Sequence, residues 1–94
     1  MGTKDEALAC HLLAQAEAML GDLRVELDDL RAGRRRSTTG AHLHGVAIGL
    51  RLRLAHRWTR DASTWARISS LETGWRALLV AVARFDADIA MCAR

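Results

Sequence analysis

Two uninterrupted apolar heptad seams constrain this chain more than any other feature. The first runs through Ala9, Leu13, Ala16, Leu20, Leu23, Leu27 and Leu30, in steps of 4, 3, 4, 3, 4 and 3. The second runs through Ile68, Leu71, Trp75, Leu78, Val82, Phe85, Ile89 and Cys92, in steps of 3, 4, 3, 4, 3, 4 and 3. A helix stacks residues three and four apart on one face, whereas a strand alternates with period two, so each seam specifies a long amphipathic helix. Leu8, Leu12 and Met19 broaden the first stripe beyond a bare coiled-coil seam, as expected inside a bundle. Composition agrees. Pro and Asn, two common turn formers, are absent, and Ala and Arg are abundant, which disfavours a hairpin-rich β chain.

Local signals set the helix ends. Thr3 and Glu6 have the spacing of a capping box, and Asp5 suits the positive end of the helix dipole. Gly33 is the expected C′ residue, so helix one is expected over about residues 4–32. A basic loop follows over residues 33–40, in which Thr38 or Thr39 is a candidate cap. Helix two is expected over about 41–58. One of its faces carries Leu43, Val46, Ala47, Leu50, Leu54 and Trp58, and the opposite side carries Ile48, Leu52 and Ala55. Ala41, Gly45 and Gly49 add a strip of small residues where another backbone can come close. A helix apolar on two sides is expected to be buried on both. Asp61 or Ser63 caps helix three, expected over 62–93; the unchanged heptad phase across Gly74 favours one continuous helix.

Three such helices predict one domain, 1–94: an all-α, antiparallel three-helix bundle of long, short and long helices. At about 1.5 Å per residue, helix two spans roughly 27 Å and its neighbours more than about 40 Å. A short middle helix leaves part of the long seams uncovered, so the bundle is expected to be completed by a homodimer or a helical partner.

Charge is unevenly placed. The net +3 divides into −5 over residues 1–30, +8 over 31–60 and 0 over 61–94. The middle third holds Arg31, Arg34, Arg35, Arg36, Arg51, Arg53, Arg57 and Arg60 and no acid. Such a segment either pairs with acidic helix one or meets an anionic partner. There is no apolar run near the roughly 20 residues of a membrane span, and the acidic start resembles neither a secretory signal nor a myristoylation site. The expectation is a cytoplasmic protein. Cys10 and Cys92 are too few for a disulfide framework and are expected at core or boundary positions.

Catalytic and cofactor signals are lacking. His11, His42, His44 and His56 show no His-x-x-x-His or Glu-x-x-His spacing, so neither metal nor cofactor is expected. The Gly33–Gly40 stretch lacks the Gly-Lys-Ser/Thr ending of a phosphate loop, and no Ser lies in a nucleophile elbow, so no enzyme is expected. The reading is a small interaction module that self-associates and binds a protein, as an adaptor, co-chaperone, inhibitor or small complex subunit. Its candidate interface residues are Gly45, Gly49, Leu52, His56 and Trp65. The alternative is a nucleic-acid-binding or ribonucleoprotein subunit using the eight arginines of residues 31–60, although no recognition-helix or base-stacking motif accompanies them.

Overall fold

A computed structural model describes residues 3–92. It holds three helices and, among the described residues, no strand: α1 (Thr3–Arg31), α2 (Thr39–Trp58) and α3 (Ala62–Cys92). They form the antiparallel long-short-long bundle that the two seams predict. α3 is unbroken at Gly74. The Thr3 side chain and residue 93, to which the expected capping box and helix three extended, lie outside what is described.

Each connection has a specific cause. α1 ends in a Schellman turn. Gly33 adopts φ +76°, Arg34 N–H donates to Asp29 O at 2.8 Å, and Gly33 N–H donates to Leu30 O at 3.2 Å. Such a turn often carries an apolar contact between the residues at these two outer positions; here Arg34 Nε donates instead to Asp29 Oδ1 at 2.8 Å. Asp61 caps α3 by accepting from Thr64 N–H at 2.9 Å. α2 has no side-chain cap, contrary to the expectation for Thr38 or Thr39. The Thr38 hydroxyl is turned instead to Asp86 on α3.

The α1 seam is the spine of the core. All seven of its residues are at most 3 % exposed, so no part of it is left open. The length mismatch therefore exposes only α3. Arg67 Nη2 donates to Glu17 Oε2 at 2.7 Å, a register of 50 residues between these parallel helices. That register puts the end of α1 level with Ala81, so the last turns of α3 run on beyond α1 and the bundle reaches 58 Å. Ile68 and Val82 of the second seam are buried; Leu71, Trp75, Leu78 and Phe85 are partly covered, and Ile89 is exposed. Cys10 and Cys92 are both exposed rather than core or boundary residues.

α2 departs most from expectation. It is buried on one side alone, through Ala41, Gly45, Ile48, Leu52 and Ala55. The small residues let α3 approach closely. Trp75 Nε1 donates to Gly45 O at 2.7 Å, and its ring covers Gly49. A Cβ built on Gly49 would stand 2.6 Å from Trp75 Cζ2, and one on Gly45 2.6 Å from Leu79 Cδ2. Gly45, Gly49 and Leu52, the interface candidates on this helix, thus lie on the side of α2 that faces the bundle, with Gly45 and Leu52 buried and Gly49 under the Trp75 ring.

This packing separates the glycines experimentally. Gly49→Ala forces the Trp75 ring to move, and overpacking of this kind costs about 1–3 kcal/mol. Gly21 has nothing within 4 Å of its would-be Cβ, so Gly21→Ala stabilises by about 0.5–1 kcal/mol through helix propensity. Urea unfolding of the two variants should move the midpoint in opposite directions.

Candidate functional site

Because α2 buries its small-residue side, its bulky side faces solvent. Leu43 is 65 % exposed, Val46 62 %, Leu50 52 %, Leu54 43 % and Trp58 40 %. With half-buried Ala47, these residues form one row along the helix, in steps of about one turn. The row spans about 22 Å at 1.5 Å per residue. Leu8 on α1 is also exposed and stands level with Trp58, because Thr59 Oγ1 donates to Glu6 Oε2 at 2.7 Å. Isolated exposed leucines are ordinary, but a continuous apolar row on one helix marks a surface that lacks a partner. The sequence identifies these residues as an apolar face; what it does not reveal is that they lie outside.

On α2 itself the charged residues that border the row are all arginines. Arg53 and Arg57 lie one turn apart on its Val46 edge, both exposed, and form no salt bridge among the described residues. On the other edge, Arg51 donates to Gln15 Oε1 at 3.2 Å and to Ala47 O at 3.1 Å. Arg57 shares a hollow with Asp5, Glu6, Trp58 and Arg60, but Glu6 is already spent on Thr59 and on the Arg60 N–H at 2.7 Å.

The remaining arginines divide. Arg34 and Arg35 reach Asp29 at 2.8 and 3.6 Å, Arg35 also reaches Glu26 at 3.6 Å, and Arg31 stands 3.9 Å from Asp28. Three of the four arginines around the first loop thus meet acids of α1. Arg36 and Arg60 form no side-chain salt bridge among the described residues.

His56 and Trp65, the other two interface candidates, stack on each other with ring centroids 5.8 Å apart. They join the ends of α2 and α3. Trp65 thus has His56 as its aromatic partner. An open groove of about 360 Å³ lies alongside, lined by Gly49, Leu52, Arg53, His56, Glu72, Trp75 and Arg76. Arg76 is held there by Glu72 at 2.5 Å.

Sequence reasoning missed a polar cluster at the start of α2. The first turn of α2 contains no acid, so its positive dipole end must be met from elsewhere. Glu26 of α1 and Asp86 of α3 meet it from two sides. Glu26 is 4 % exposed, has its Oε2 2.7 Å from His44 Nδ1, and presses against Gly40, where a Cβ would stand 2.5 Å from Oε1. Asp86 Oδ1 accepts from Thr38 Oγ1 at 2.5 Å, and Oδ2 lies 2.6 Å from His42 Nε2. His42 and His44 point to different helices because they are two residues apart, which also separates them as metal ligands. Among the described residues no group of three or more potential ligands forms a metal site. No helix is long and apolar enough to cross a membrane.

The chain matches no protein-family model, and neither a curated protein nor a solved structure shows significant similarity to it.

The cluster at the start of α2 sets a pH dependence. The hydrogen bond from Thr38, then that from His42, hold the Asp86 carboxyl below its ordinary value of 3.8. A lowered pKa stabilises the fold above the unfolded-state value and is lost as pH falls through the folded one. Asp86→Asn should therefore flatten the loss of stability below about pH 4. Urea midpoints of the two proteins from pH 6 to pH 2 measure the difference; parallel curves would contradict it.

Proposed function

We propose that this protein is a helical interaction module that works by burying the outer face of α2 against another polypeptide. The exposed row from Leu43 to Trp58 supports this reading. Apolar side chains release water when covered, at about 25 cal/mol per Å² of apolar area, and this row sets Leu43, Val46, Leu50, Leu54 and Trp58 in the open on one helix. The rigid three-helix frame presents it without an ordering cost on this side of the interface. Adaptor, co-chaperone, inhibitor and small complex subunit are the roles such a module fills, and none of them requires catalysis. Self-association through the same face is the weaker form of the reading, since both copies would bring the same arginines.

Nucleic-acid binding ranks second. Arg36, Arg53, Arg57 and Arg60 support it by forming no salt bridge among the described residues, but Arg31, Arg34 and Arg35 already meet carboxylates. A row of aliphatic side chains also offers phosphates nothing. Titration with mixed DNA and RNA pools at two salt concentrations tests it; strong, salt-dependent binding would favour this reading over the first.

The triple variant Leu43→Ser, Leu50→Ser, Leu54→Ser removes the row without touching the core. Its thermal midpoint should stay within a few degrees of the parent protein, because surface changes are worth little. Affinity capture followed by light scattering should then show complexes with the parent chain that the variant fails to form. Equal complex formation by both would remove the α2 face as the working surface.

A further inference from the structure

The charge around the α2 face limits what can cover it. We infer that its occupant is a single amphipathic helix of another protein, carrying an aliphatic seam and carboxylates one turn apart along one edge. This rests on the interaction-module reading and names the class of partner for that surface.

Three observations converge on it. First, shape: the row Leu43, Ala47, Leu50, Leu54 and Trp58 is straight, about one side chain wide and about four turns long. α1 and α3 already occupy the other two sides of α2, so the free face receives one helix, as knobs set into the spaces between these side chains. Second, charge: Arg53 and Arg57, four residues apart on one edge, form no salt bridge among the described residues, and residues 30–60 contain no acid. Two carboxylates spaced by one helical turn would meet both guanidiniums, each able to bind in a fork. Third, a second copy is a poor match. A parallel copy turns the Arg53 and Arg57 edge of each α2 towards the Arg51 edge of the other, and α2 carries no carboxylate on either edge. An antiparallel copy lays the two arginine edges along each other. Neither helix has a carboxylate to neutralise the four charges, and like-charge juxtaposition works against the complex. Of the α1 acids, Glu17 and Asp29 are engaged by Arg67 and by Arg34 and Arg35, whereas Asp5 and Asp22 are exposed and form no salt bridge among the described residues, so the second copy is kept as an outcome of the test below.

The partner chemistry is therefore acidic and aliphatic together. The aliphatic seam supplies affinity, and the carboxylates select orientation and raise the rate of encounter. Trp58 closes one end of the row and gives the partner an aromatic stop.

The test uses the full chain and two synthetic helical peptides. Both carry the same leucine seam over about four to five turns. One has Glu at the seam-flanking positions and the other has Lys. Fluorescence titration at low salt should show the Glu peptide binding at least about tenfold more tightly, with the gap shrinking at 0.5 M salt as charges are screened. Amide shifts should map the Glu peptide to residues 43–58. Arg53→Glu with Arg57→Glu should reverse the preference towards the Lys peptide. Equal binding of both peptides overturns the acidic partner but keeps the apolar face. Binding of neither, with concentration-dependent dimers abolished by Leu50→Ser, overturns it in favour of a second copy. Binding of neither, with no association of any kind, overturns the interaction-module reading as well.

Discussion

Trp75 lies across the two glycines of α2, and this contact decides which side of α2 enters the bundle. Its ring needs a flat, close-lying backbone, which Gly49 supplies, and its indole N–H needs an acceptor, which Gly45 O supplies. An indole donor buried without a partner would cost about 1–3 kcal/mol, so the position of the acceptor is not a detail. Once Trp75 is seated, Ile48, Leu52 and Ala55 turn towards the core, and the leucine row has nowhere to go but out.

The two turns are held by carboxylates that reach across from other helices. Glu6 ties the second turn to α1 by accepting from the Thr59 hydroxyl and the Arg60 N–H. Glu26 and Asp86 hold the uncapped start of α2 between α1 and α3. These groups do the work that a local cap does elsewhere, and they couple the helix ends to tertiary structure. Glu26 can come so close because residue 40 has no side chain. The acidity of α1 is thus partly structural: Glu17, Glu26 and Asp29 each meet a base from later in the chain. What remains of the basic segment after this pairing lies largely beside the exposed apolar row.

Fold class was legible because the two seams repeat the heptad over many turns, and such a pattern has one low-energy geometry. The Gly33 turn, the Asp61 cap and the passage of α3 through Gly74 were legible for the same local reason: backbone conformation and side-chain reach act within a few residues. The interface candidates are of a different kind. Gly45, Gly49 and Leu52 have the composition of a close helix contact whether the partner helix lies in the same chain or another, and periodicity carries no information on that choice. His42, His44, Glu26 and Asp86 gave no motif because their partners are distant in sequence.

By itself the sequence determined three helices, their antiparallel order and the placement of charge, since each depends on neighbouring residues or on short connections. Only the tertiary structure decided which of the two apolar sides of α2 is buried. Both sides satisfy the helical period, and the hydrophobic effect is non-directional, so it does not choose between them. The choice fell to shape and hydrogen bonding against α3, where the small side fits Trp75 and the leucine side does not.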